Sequence, residues 1–159
     1  MLLHKQGDIF HPYGSDDIEE FSKLKENAIF LVDLGKSCTP KEVRTLQQNK
    51  MQFKWYRDMQ KQGDQTAIEY RAYCKLHFGV PLLRVEDESF RAIYDKLIRP
   101  LDYEDKLSLM VEPIDLPVTS QMSVEIMAKY LKAVSDDATS KGMRLTGLEH
   151  LFEWLEQDK

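Results

Sequence analysis

A chain of 159 residues can bury one proper core, and it is too short for two well-stabilised domains unless they share an interface. Hydrophobic residues at 42% and charged residues at 31% describe an ordinary globular composition, away from the disordered and collagenous extremes. A formal net charge of -5 argues against a uniformly basic surface for polyanions, although an average can hide a local patch.

No apolar run reaches the roughly 18 to 20 residues a bilayer span requires, so no membrane association is expected. The first residues, MLLHKQGDIF, hold His4 and Asp8 and lack the apolar core of a secretory signal, which predicts a cytoplasmic protein. Cys38 and Cys74 are far apart, with no C-x-x-C and no nearby His pair. They read as free thiols, with neither a disulfide framework nor a zinc site expected.

In chain order, Gly7, Pro12 and Gly14 mark an arm or short edge strand, and Ser15-Asp16-Asp17 can cap a short helix, IEEFSKLKEN. AIFLVDL, between Asn27 and Gly35, reads as a buried strand. Thr39 and Pro40 suit the cap and first turn of a helix that runs to Gln62 and stops at Gly63. Thr66 and Glu69 are spaced as a capping box for the next helix, with Gly79 expected as its left-handed stop. VPLLRV is expected to be extended, because Pro81 restrains Val80. DESFRAIYDKLIRP predicts a short helix ended by Pro100, DYEDKLSLM another, and EPIDLPVT a connection broken by prolines. SVEIMAKYLKAVSDDATSKG carries Val124, Met127, Leu131, Val134 and Ala138 on one helical face, with Gly142 just past its end. LEHLFEWLEQ predicts a last helix with Leu148, Leu151, Phe152 and Leu155 on its inner face.

The expected fold is therefore α+β, mostly helical, with a small N-terminal sheet around AIFLVDL. It is read as a single domain over residues 1–159, with an N-terminal α/β lobe over 1–63 and a helical lobe over 64–159.

The cations of this acidic chain collect in one place. Residues 41 to 61 hold Lys41, Arg44, Lys50, Lys54, Arg57 and Lys61 against only Glu42 and Asp58. At about 100° per residue, Met51, Trp55, Tyr56 and Met59 share one side of this helix, and Leu46 and Phe53 extend the apolar surface beyond Tyr56. Lys50, Lys54, Arg57 and Lys61 fall in a sector of roughly 60° on the opposite side. A solvated helix face usually interleaves both signs, because like charges at i, i+4 repel. A ridge of one sign suits a polyanion, whose condensed counterions are released on binding. Gln48 and Asn49 fall near the apolar stripe, where amides need hydrogen-bond partners. Their expected role is to satisfy backbone of the preceding strand or loop, the alternative being that they project at a groove or dimer seam.

An apolar strand, a polar loop and then R-T-L-Q-Q-N-K opening an aromatic-rich helix resembles the phage NinB, or Orf, family of recombination proteins. Arg44, Leu46, Gln48 and Asn49 match the family's R-S-L-x-Q-N positions, Thr45 replaces Ser, and Trp55 falls later than the family aromatic. A second resemblance lies in PVTSQMSVEIMAKYLKAVSDDATSKGMRLT, carried by Thr119, Met122, Ser123, Tyr130, Leu131, Gly142, Met143 and Leu145. Together the two cover about half the chain. The resemblance implies a NinB-like, non-enzymatic accessory protein of phage recombination in the host bacterial cell. Such a protein binds single-stranded DNA, acts with host single-strand binding protein or a recombinase, and forms a homodimer. The acidic LEHLFEWLEQDK departs from the family, whose tails can be basic, so DNA contact by the tail is not expected.

Enzymatic readings carry less weight. Asp102, Glu104, Asp105 and Lys106 could serve metal-assisted phosphodiester cleavage, yet a short capped helix explains the same acids. His4, His11, His77 and His150 form no metal-binding spacing, and His77, between apolar neighbours, is expected to be packed. Cys74 with His77 lacks an oxyanion site. No Gly-rich phosphate loop suggests ATP or a nicotinamide, so no cofactor is expected. Tyr56, Tyr70 and Tyr73 are candidates for stacking on unpaired bases, whereas Trp55 and Phe53 are expected in the core.

The resulting expectation is single-stranded DNA held on Lys50, Lys54, Arg57 and Lys61, helped by Arg44. A protein adaptor of phage replication or recombination without DNA contact is the rival reading, and a metal-dependent nuclease the third.

Overall fold

In the computed structural model the described residues are 3–6, 9–12, 14, 18–19, 22–23 and 40–148. The chain divides into two compact units, Met1–Ser37 and Cys38–Lys159. The division lies N-terminal of the expected lobe boundary, so the cationic helix belongs to the second unit.

In the first unit, β1 (Leu3–Gln6) and β2 (Ile9–Pro12) pair antiparallel, with Leu3 opposite Pro12 and Gln6 opposite Ile9. Ile18, Glu19 and Ser22 have helical backbone, in line with the short helix expected there. The expected AIFLVDL strand lies outside the described residues. So does LEHLFEWLEQ apart from Leu148, which packs against the core.

The second unit is helical throughout most of its described length. The cationic helix, α1, spans Pro40–Gln62, with the start and end that Pro40 and Gly63 predict. Next, α2 (Ala67–Cys74) opens on a complete capping box, Thr66 Oγ1 accepting from Glu69 N–H while the Glu69 carboxylate accepts from Thr66 N–H. The helical path then continues through a π-turn, Lys75–Gly79, into α3 (Val80–Glu86). This corrects two expectations. VPLLRV is helical, and Gly79 is no left-handed stop: its φ of -69° and ψ of -53° are right-handed. Pro81 is tolerated because the preceding turn is widened. Val80 N–H reaches back to Lys75 C=O, and the looser turn makes room where a proline ring would otherwise crowd the carbonyl four residues earlier. Gly79 instead permits close packing, since a Cβ there would stand 2.8 Å from Val118 Cγ1.

Asp87 caps α4 (Glu88–Ile93), accepting from Phe90 N–H at 2.9 Å. A second π-turn, Tyr94–Ile98, ends at Arg99, directly before Pro100. After α5 (Tyr103–Leu109) an irregular, turn-rich segment leads through a 3-10 turn, Thr119–Gln121, to α6 (Val124–Ser140), capped by Ser123. Met127, Leu131, Val134 and Ala138 are buried on the predicted face of α6, and Gly142 takes the left-handed φ of 74° after it.

Two apolar clusters hold these elements together. One joins Met51, Trp55, Tyr56 and Met59 of α1 to Tyr70 and Cys74 of α2 and to the buried face of α6. The other centres on Leu83, Tyr94, Met110 and Val118. In the second region a buried ammonium, Lys75 Nζ, donates to Met110 C=O at 2.6 Å and to Asp115 Oδ1 at 2.6 Å. Arg71 meets both Asp115 oxygens at 2.8 Å.

Candidate nucleic-acid interface

Helix α1 has two unlike faces. Met51, Trp55, Tyr56 and Met59 are buried, as are Gln48 and Gln52, whereas Lys50, Lys54, Arg57 and Lys61 are exposed on the other side. None of these four cations forms an ion pair among the described residues. A neutralising candidate does sit beside them, because Asp58 lies four residues after Lys54 and three before Lys61. One oxygen of its carboxylate, Oδ2, is engaged elsewhere, accepting from Thr146 N–H at 3.1 Å and from the Thr146 hydroxyl. Trp55 Nε1 donates to Thr146 C=O at 2.8 Å, and Gln62 clasps the Arg144 backbone through both its N–H and C=O, at 2.8 and 2.7 Å. The 144–146 segment thus holds one oxygen of the carboxylate that helical spacing places nearest the ridge.

Over the eleven residue steps from Lys50 to Lys61 the ridge extends about 16 Å. Arg44 stands apart from it. The Arg44 backbone is helical, but six residues before Lys50 place it about 120° round the axis, and its side chain lies outside the described residues.

The two amides behave differently from each other. Gln48 is fully buried and its Nε2 donates to Val124 C=O at 3.0 Å, at the start of α6 rather than on the preceding strand or loop. Its Oε1 has no donor among the described residues. Asn49 is exposed, and Asn49 Oδ1 accepts from Gln52 Nε2 at 3.0 Å. From there a chain runs inward: Tyr56 donates to Gln52 Oε1 at 3.2 Å, and the Tyr56 and Tyr130 hydroxyls lie 2.6 Å apart. Because Tyr56 spends its proton on Gln52, Tyr130 is the donor to Tyr56. Burial raises the pKa of both phenols above the ordinary tyrosine value. A shallow pocket beside this chain is lined by Gln48 and Asn49 from α1 and by Thr119, Met122 and Ser123 before α6. The two stretches that carry the resemblance therefore meet in space, although 70 residues separate Asn49 from Thr119.

The aromatic expectations need correction. Tyr56 and Tyr70 are buried, so neither can stack on a base. Tyr73 is half-buried, with Lys141 Nζ 4.3 Å from its ring centroid and the His77 ring 4.4 Å away. Phe53, expected in the core, is 44% exposed, and Leu46 is 43% exposed. Both stand at the rim of the apolar face, where Phe53 meets α2 through the Arg71 guanidinium, 5.6 Å from its ring centroid, and how far the neighbouring helices reach is not given by spacing along α1. His77 is exposed rather than packed, and its Nε2 lies 3.0 Å from the Tyr103 hydroxyl.

Among the described residues no group of three or more His, Cys, Asp or Glu side chains could hold a metal ion. Asp102, Glu104 and Asp105 are exposed at the start of α5. Cys74 is buried, and that burial pushes its thiol up to about 12. No helix among the described residues is long and apolar enough to cross a membrane. No family model, no curated protein and no solved structure matches this chain.

Proposed function

We propose that this protein binds single-stranded DNA along α1, with Lys50, Lys54, Arg57 and Lys61 as the phosphate-contacting residues. One observation carries the reading: four exposed cations stand in file with no ion pair among the described residues, while Asp58 beside them accepts from Thr146 through Oδ2. A like-charged row of this kind carries a self-repulsion that a phosphate backbone relieves. The resemblance to NinB proteins extends the reading to an accessory role in phage recombination. Host single-strand binding protein or a recombinase would be the protein partner, and the active species a homodimer. Arg44 is assigned no phosphate, since its position falls off the ridge.

Fluorescence anisotropy with labelled oligothymidylate tests the proposal. Four phosphate contacts give a plot of log affinity against log salt with a slope near -2.8, about -0.7 for each contact. Changing Lys50, Lys54 and Arg57 together to Glu abolishes binding while circular dichroism stays unchanged, because exposed positions tolerate substitution. Absence of binding by the wild-type protein at low salt would refute the proposal in favour of the adaptor reading.

A further inference from the structure

We infer that Phe53 stacks on an unpaired nucleobase at the edge of the cationic ridge. This rests on the single-strand reading of α1 and sharpens it, because in a duplex every base face is already occupied by its neighbours.

Isolated exposed apolar residues are common on protein surfaces and require no explanation by themselves. Phe53 differs in its setting. It lies three residues after Lys50 and four before Arg57, which on a helix makes it a neighbour of both. Its ring is also braced. Tyr56, itself buried, meets it edge to face, with centroids 6.0 Å apart and planes at 89°. The Arg71 guanidinium lies 5.6 Å from the Phe53 centroid, and Arg71 is in turn fixed by both oxygens of Asp115 at 2.8 Å. An aromatic held on two sides, with 44% of its surface left to solvent, has less side-chain entropy to lose on stacking than a free rotor has. Phosphates drawn to Lys50, Lys54 and Arg57 would bring the attached bases to this ring. Base on aromatic is the sequence-tolerant contact that single-strand binders combine with a basic track. Leu46, exposed one helical repeat earlier on the same line, continues the apolar edge.

The test compares two probes with equal numbers of phosphates, an oligothymidylate and a wholly abasic oligonucleotide, by anisotropy at low salt. The wild-type protein should bind the thymidylate between about fivefold and a hundredfold more tightly than the abasic strand. Phe53→Ala should lose that difference while keeping the salt slope, and Phe53→Trp should keep both. Phe53→Leu separates ring stacking from mere apolarity, and should behave as the Ala variant does. Equal wild-type affinity for the two probes would overturn the stacking inference and leave the ridge standing. If neither probe binds, both readings fall together. If Phe53→Ala converts a dimer to a monomer in light scattering without changing probe preference, the ring belongs to a subunit seam and the inference is overturned.

Discussion

Two buried polar clusters make opposite demands on single residues. In the phenol chain, Tyr56 both donates to Gln52 and accepts from Tyr130. Tyr130→Phe removes one donor and leaves Tyr56 with its own proton satisfied, for a cost of about 1 kcal/mol. Tyr56→Phe strands the Tyr130 hydroxyl and Gln52 Oε1 together, for a cost of about 2 to 3 kcal/mol. Urea denaturation of the two variants should show this asymmetry, and equal losses would mean that the hydroxyls point the other way. At Asp115 the issue is charge. Burial disfavours its carboxylate, but the hydrogen bonds from Arg71 and Lys75 outweigh burial and hold its pKa below the ordinary carboxylate value. Burial pushes the Lys75 ammonium down, while Asp115 opposes that shift. Asp115→Asn keeps one oxygen as an acceptor but removes the charge that faces Lys75 and Arg71, and sets a donor NH2 beside two cationic donors. It also suits the left-handed φ of 45° at this position, which asparagine tolerates well. The expected loss is about 2 kcal/mol at neutral pH, below the fully buried range because Asp115 is partly exposed. A depressed carboxylate contributes stability above its unfolded pKa of about 3.9 and loses it as the pH falls through the folded value. The gap between wild type and variant should therefore close on acidification within that window.

At the scale of the element, the two π-turns share one construction. Each closes with an N–H reaching five residues back, Val80 to Lys75 and Arg99 to Tyr94, and each is followed at once by a proline, Pro81 or Pro100. After Pro81 the helix continues, whereas at Pro100 it stops. Proline alone therefore does not decide between the two outcomes. Packing of Leu83 and Val80 into the second cluster supplies the reason to continue at the first site. That is why VPLLRV could not be read correctly from its sequence, while the capping box at Thr66, the Gly63 stop and the apolar face of α6 could. These depend on residues a few positions apart. The bond from Gln48 to Val124, by contrast, crosses 76 positions. Within the candidate site, the ridge was legible from helical phase, whereas the exposure of Phe53 depended on which helices lie opposite it. Gly79 tests the packing at the first π-turn. Alanine is the better helix former by about 1 kcal/mol, yet its Cβ would meet Val118, which is fully buried and β-branched and so has little room to yield. Gly79→Ala should be destabilising by about 1 to 2 kcal/mol net. In a Val118→Ala background the same change should become neutral or stabilising. A double-mutant cycle with no coupling would show that the two segments do not constrain each other.

For the whole molecule, charge distribution sets two responses to salt with opposite signs. A chain of net charge -5 that concentrates cations on α1 repels itself both overall and along the ridge. Lys50 with Lys54, and Arg57 with Lys61, are like-charged neighbours at i, i+4, each pair unfavourable by a few tenths of a kcal/mol. Added salt screens that repulsion, so the melting temperature of the free protein should rise modestly as affinity for single strands falls. Lys54→Glu separates the two effects in one variant. The new carboxylate would face Lys50 four residues before it and Arg57 three residues after it, turning two repulsions into attractions. Asp58, four residues further on, offsets part of that gain, so the helix is stabilised by a net few tenths of a kcal/mol. The same change removes one phosphate contact and sets a negative charge in the middle of the ridge, so binding weakens and the salt slope becomes shallower by at least about 0.7. Differential scanning calorimetry and anisotropy on this one variant decide between a ridge retained for a ligand and a face that is merely solvated. In the solvated case Lys54→Glu would raise the melting temperature and leave affinity for single strands where it was.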